Sequence, residues 1–347
     1  MKKILLSAAI LVFFLACKSN KNLTSTELTS NSEIITKFGN TINSKDVKEH
    51  IYTLASDEFE GRQTGEKGQK LAAEYLINQY KSFGIKGING TDNYLQHIPV
   101  EALNGKSEHP SENVIAFIEG TEKPNEILVI SSHYDHLGIH DGEIFYGADD
   151  DASGTTGVLE IAQAFAKAKK QGYGPKRSIL FVNFTGEEKG LLGSKYFSKN
   201  PVYPLENMVA GLNIDMIGRI GKERAPDDNN YVYVIGADRL SSELHAINEK
   251  ANATYTHMAL DYTYNEESDP NRFYFRSDHY NLAKHGIPII FYFNGTHADY
   301  HKATDTKEKI NLDLLTKRAQ LVFYTAWEIA NREERLMVDK GSDLVEN

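Results

Sequence analysis

Two hydrophobic patterns alternate along this 347-residue chain. Short, nearly unbroken apolar runs lie at 114–119, 127–131, 178–182, 208–218, 231–235 and 287–293. Such runs predict strands, and the continuously apolar ones predict strands buried on both faces, as in a parallel sheet. Between them the apolar positions recur at helical spacing. Residues 68–83 carry Leu71, Ala72, Tyr75, Leu76 and Tyr80 on one face. A second helix is expected around Val158, Leu159, Ile161, Ala162 and Phe165, and others over 45–55, 241–251 and 311–332. Strands alternating with helices predict an α/β fold: a mixed, mostly parallel central sheet sandwiched by helices, in one domain. Residues 255–273 are polar and aromatic without periodicity, and are expected to form a loop walling a cleft.

The ends of the chain read differently. Met1-Lys2-Lys3 followed by an apolar run over 4–15 has the length of a secretory leader and is too short to span a bilayer as a helix. It ends Phe14-Leu15-Ala16-Cys17, which resembles the lipobox of bacterial lipoproteins, with Phe14 in place of the usual leucine. That resemblance implies a signal peptide over 1–16, lipidation of Cys17, and an exported protein held in the cell envelope, periplasmic or outer-membrane associated. Residues 17–44, rich in Ser, Thr, Asn and Lys, are expected to be a flexible tether. The folded domain is expected over 45–330, with a polar tail over 331–347. Cys17 is the sole cysteine, so no disulfide framework supports the fold. Acidic residues outnumber basic ones 48 to 38, a formal charge of −10, with no basic stripe, which argues against a nucleic-acid partner. Nothing in the pattern specifies an oligomeric state.

The chemistry concentrates at the strand exits. The run at 127–131 leads into Ser132-His133-Tyr134-Asp135-His136, where Asp135 is placed to orient the His133 ring toward a cation. Asp149-Asp150-Asp151 precedes an apolar helix, more carboxylates than capping alone requires. Glu187 and Glu188 follow the 178–182 strand in a glycine-punctuated turn. Asp215 ends Asn213-Ile214-Asp215-Met216, an expensive place for an acid without a cationic partner. His297-Ala298-Asp299-Tyr300-His301 follows the last strand. In open α/β sheets such strand ends form the ligand crevice. Arg62, in the loop before the 68–83 helix, suits a structural hydrogen-bonding role or a substrate carboxylate.

Taken in order, His-x-Asp, Asp-Asp-Asp-Ala-Ser-Gly, Glu-Glu, Asn-Ile-Asp-Met and Tyr-His resemble the co-catalytic zinc peptidases of family twenty-eight over roughly residues 48–328. The resemblance implies two Zn²⁺ ions: His133 and Asp215 on one, Glu188 and His301 on the other, Asp150 bridging. It implies a cis peptide between Asp150 and Asp151, Asp135 orienting His133, Glu187 as general base, and Tyr274 stabilising the oxyanion. His301 is preferred to His297 because the family's ligand follows the tyrosine. The expected activity is hydrolysis of peptides, foremost removal of N-terminal residues. Two alternatives stand beside it: a single-zinc acyltransferase like glutaminyl cyclase, and a non-catalytic binding module of the same fold. The presence of both His133 and Asp135 weighs against the first, and the complete ligand set against the second.

Overall fold

The computed structural model describes residues 25–225 and 227–341; the leader and Cys17 lie outside them. Eight strands form one sheet: β1 (Leu95–Ile98), β2 (Ser111–Ile118), β3 (Lys123–His133), β6 (Arg177–Phe184), β7 (Met208–Ile214), β8 (Tyr231–Ile235), β9 (Ala259–Asp261) and β10 (Ile289–Phe293). The intervening β4 (Gly138–His140) and β5 (Glu143–Phe145) pair as a separate hairpin. The sheet order is β1-β2-β6-β3-β7-β10-β8-β9. Its centre, β6-β3-β7-β10, is parallel, while β1 on β2, β2 on β6 and β8 on β10 run antiparallel.

The parallel centre exists because its strands are apolar on both faces. Leu128 and Ile130 of β3 pack into one core cluster and Ile127 and Val129 into the other. In β6 the same division separates Ile179 and Phe181 from Leu180 and Val182. Helices cover both faces: α2 (Ser44–Leu54), α3 (Lys67–Phe83), α4 (Ala152–Lys170), α6 (Ser242–Ala251) and α8 (Leu312–Asn331) line one, and α5 (Leu192–Lys199) and α7 (Tyr280–Ala283) the other. Phe165 of α4 stacks on Trp327 of α8 at 5.6 Å. The register then aligns the functional ends. His133 pairs with Phe184, Ser131 with Asn213 and Tyr292 with Ile214, so four strands finish at one level.

The expected tether is shorter than its composition suggests. Residues Ser25–Gly39 form a helix, α1, and Ile35, Phe38 and Ile42 are buried against the body. Phe38 stacks on Trp327 at 5.9 Å. Two apolar residues on one face of the helix and a third in the turn after it suffice for docking even in a polar segment. The expected tail is also held down as far as Leu336, which is buried, and Arg177 donates to the Glu333 carbonyl at 3.1 Å. Within the expected 255–273 loop, β9 adds to the sheet edge beside β8. No helix among the described residues is long and apolar enough to cross a membrane.

Candidate active site

Each parallel strand delivers a charged group to the same cleft. His133 is the last residue of β3, and Glu187 and Glu188 follow β6 through Gly186, whose φ of +66° suits glycine. Asp215 follows β7 directly, and the loop after β10 carries Tyr300 and His301. The three aspartates before α4 divide the work. Asp151 caps the helix, accepting from the Gly154 N–H at 2.8 Å and from the Met216 N–H at 2.9 Å. Asp149 ties the β7 and β10 exits together, accepting from the Gly218 N–H at 2.6 Å and from Asn294 at 3.0 Å. Asp150, joined to Asp151 by a cis peptide, is left facing the cleft. Although Asp151 lies near His133 and Asp215, its Oδ1 takes both of those backbone donors and its Oδ2 accepts the His133 backbone N–H at 3.3 Å, which leaves Asp150 as the group presented to a ligand.

Asp150 divides its two oxygens between two clusters. Oδ1 lies 3.2 Å from His133 Nε2, which is itself 3.5 Å from Asp215 Oδ1. Oδ2 lies 3.1 Å from His301 Nε2, which is also 3.1 Å from Glu188 Oε2. Glu187 Oε2 stands 4.0 Å from His133 Nε2. The predicted ligands are therefore together. His136 joins them: its Nδ1 is 2.8 Å from Glu188 Oε1. His297 and His279 do not. His297 turns to Asp149 at 3.1 Å, and His279 binds the Tyr274 carbonyl at 2.7 Å.

The field of the cluster is strongly anionic. Burial disfavours a charged His133, yet Asp215 and Glu187 hold its pKa well above the imidazole norm. Burial acts the same way on His301, and hydrogen bonds to Asp150 and Glu188 raise it to about 10. Burial alone would raise Asp150, but His133 and His301 hold it well below the carboxylate range. Glu187 is pushed up by burial against the pull of His133. Despite these short separations, His133 Nε2, Asp150 Oδ2, Glu188 Oε1 and both nitrogens of His136 are buried without a properly angled hydrogen bond. Buried donors and acceptors that converge without bonding each other fit a shared cation, and imidazole with carboxylate is a donor set that zinc accepts.

Surrounding groups hold this arrangement in place. Ser277 donates to Asp215 Oδ2 at 2.7 Å, and Asn213 donates to Ser277 at 2.9 Å. Asp305, buried and 155 residues from Asp150 in sequence, accepts the N–H groups of Asp149 and Asp150 at 2.9 and 3.2 Å. His133 Nδ1 is nearer the backbone carbonyl of Asp135, at 3.1 Å, than its carboxylate, at 3.7 Å. The Asp135 carboxylate instead accepts from Thr64 at 2.7 Å and from the Glu187 N–H at 3.2 Å. Arg62 reaches no ligand position. It is fully buried and donates to the carbonyls of Leu54, Tyr134, Tyr146 and Gly147.

Tyr274 stands apart from the cleft. It packs beneath the Arg239 guanidinium at 4.0 Å and beside Gly236, next to the start of β10 rather than its end. The cleft itself is walled by Phe273, Phe291 and Phe293 opposite Asp150, Glu187 and Asp215, and Tyr300 lines it. Tyr300 stacks on His301 at 3.9 Å, and burial with the fields of Asp150 and Glu188 raises its hydroxyl pKa. Its place beside the predicted ligand was the sequence signal for a cleft tyrosine.

Comparison with known proteins supports the same reading of the fold. Peptidase family M28 matches residues 113–326. A probable leucine aminopeptidase of Arthroderma otae is 28% identical over 309 residues, 84% of this chain and 78% of that protein. Among solved structures, the Legionella pneumophila LapA aminopeptidase superposes with a TM-score of 0.67 at 21% identity, covering 87% of this chain and 76% of its own. The Porphyromonas gingivalis glutaminyl cyclase does so with a TM-score of 0.63 at 21% identity, covering 82% and 97%.

Proposed function

Because this chain belongs to peptidase family M28, we propose that it is a zinc aminopeptidase that uses two metal ions to remove N-terminal residues from peptides. The observation that carries this reading is Asp150, with one carboxylate oxygen turned to the His133–Asp215 pair and the other to His301 and Glu188. In it, His133 and Asp215 would hold one ion, Glu188 and His301 the other, and His136 is near enough to share the second. Bound there, zinc supplies Lewis acidity, lowering the pKa of water and polarising the scissile carbonyl. Glu187 faces the same cleft and accepts the proton of the attacking water, then returns it to the leaving amine. Tyr300, in place of Tyr274, offers a hydroxyl donor to the developing oxyanion. The aromatic wall excludes water and seats an apolar side chain.

A full His133–Asp215 pair favours two ions over the single zinc of a cyclase. The same reading carries export and anchoring through Cys17, supported by the leader and lipobox pattern of the sequence. Zinc titration of the metal-free protein should saturate near two ions per chain, with hydrolysis of free aminoacyl-p-nitroanilides and none of their N-blocked forms. Saturation at one ion with full activity would overturn the two-ion reading.

A further inference from the structure

Among the described residues that line the candidate cleft, Arg276 carries a positive charge with no ionic partner. Arg276 is solvent-exposed and lines the cleft with Asp150, Glu187 and Asp215. Other arginines of this chain are committed. Arg219 meets Asp299 at 2.9 Å, Arg224 meets Asp228 at 2.7 Å, and Arg318 donates to the Tyr231, Ile217 and Arg219 carbonyls. The Arg276 guanidinium has no carboxylate or carbonyl partner among the described residues, its backbone N–H alone bonding the Phe273 carbonyl at 3.0 Å. Its guanidinium lies over the Phe273 ring at 4.8 Å. Stacking fixes the plane of an arginine while leaving the N–H groups at its edge free. A fixed fork of donors matches a carboxylate by paired hydrogen bonds.

We propose that Arg276 reads a carboxylate of the substrate, making it a specificity-determining residue of this cleft. The proposal rests on the aminopeptidase reading above and adds a substrate class to it. Two sources present that chemistry within reach of the scissile bond: an acidic side chain on the first residue, or the C-terminal carboxylate of a dipeptide. The Phe273, Phe291 and Phe293 wall accommodates the methylenes or apolar side chain that either would carry alongside.

Two matched pairs of probes separate the sources, using the full zinc-loaded chain. Glutamyl- and glutaminyl-p-nitroanilide differ by the side-chain charge. Leucyl-alanine and leucyl-alanine amide differ by the terminal one. The wild-type protein should favour the charged member of one pair, and that pair identifies the source. Arg276→Gln should lower kcat/KM for that charged member about 10- to 100-fold, as expected for a lost charge-assisted hydrogen bond, and change its neutral partner by less than about threefold. Arg276→Lys should retain part of the preference. No charge preference in either wild-type pair, or an equal loss on both members in Arg276→Gln, overturns the role of Arg276 alone. A zinc-loaded wild-type protein that hydrolyses none of the four overturns the aminopeptidase reading and this proposal with it.

Discussion

The Asp135 carboxylate accepts the backbone N–H of Glu187 at 3.2 Å, linking the exits of β3 and β6. Since Thr64 donates to its other oxygen at 2.7 Å, Asp135 acts as a brace between the turn that carries Glu187 and the strand end that carries His133. Its own backbone carbonyl, at 3.1 Å, fixes His133 Nδ1. Asp135→Asn keeps the carbonyl but turns one acceptor into a donor facing either Thr64 or Glu187. Activity should fall about 10- to 100-fold, the range typical of residues that support metal ligands. Steady-state kinetics with zinc content on the same samples would check this. Unchanged kinetics would remove Asp135 from the account.

Arg62 is a stability element. Buried with its pKa pushed down to about 10 by desolvation, it feeds four carbonyls from three different segments of chain. Arg62→Ala would leave those acceptors buried and unpaired, and should cost about 3–5 kcal/mol. Arg62→Lys has too few donors in the wrong geometry to replace it and should also destabilise. Thermal melts should show the alanine variant lowered by roughly 6–15 °C, and a shift within a degree or two would contradict the role.

Much of this was visible in the sequence for one physical reason. A parallel strand buried on both faces must be apolar throughout, so Ile127–Ile130 or Ile179–Val182 stand out, and a charge at their exits stands out more. What escaped depended on contacts between distant residues. Tyr274 precedes His279 and Tyr300 precedes His301, one before β10 and one after it, and only the folded path of the chain decides which one faces the cleft. Asp305 supports Asp150 across 155 residues and has no local signature. His136 sits three residues beyond His133, past a strand end, where periodicity no longer says which way a side chain points. The burial of Ile35 and Phe38 of α1, and of Ile42 just beyond it, was hidden by the polar residues around them.

His279 sets a pH dependence away from the metal cluster. Burial lowers its pKa from 6.5 to about 3, and it packs on Phe291 at 4.7 Å while bound to the Tyr274 carbonyl. The folded state therefore keeps the ring neutral where the unfolded chain takes up a proton. The stability this contributes is fully present above pH 6.5 and is lost as pH falls toward 3, at up to about 1.4 kcal/mol per pH unit. His279→Phe preserves the ring and removes the titration. Urea unfolding between pH 7 and 4 should show a shallower loss of stability in the variant, even from a lower starting value. Parallel curves would contradict the assignment.

The proposed anchoring through Cys17 has its own test. Cys17→Ser should release the protein from the membrane fraction and leave hydrolysis intact, because the docked part of the chain begins well after it. Fractionation with a salt wash checks this, and a variant that still sediments with membranes would count against lipidation.

The separate roles of the adjacent glutamates give the account its sharpest test. Glu188 lies between His136 and His301 at 2.8 and 3.1 Å, whereas Glu187 faces the cleft beyond His133 at 4.0 Å. Zinc content and turnover of Glu187→Gln and Glu188→Gln, each with and without added zinc, are to be measured side by side. Glu187→Gln should keep about two ions per chain and lose roughly 10²- to 10⁴-fold in turnover, with no recovery on adding zinc. Glu188→Gln should bind its second ion more weakly and regain part of its activity in excess zinc. Loss of metal in Glu187→Gln with full occupancy in Glu188→Gln would reverse the roles, and normal turnover in both would contradict the mechanism.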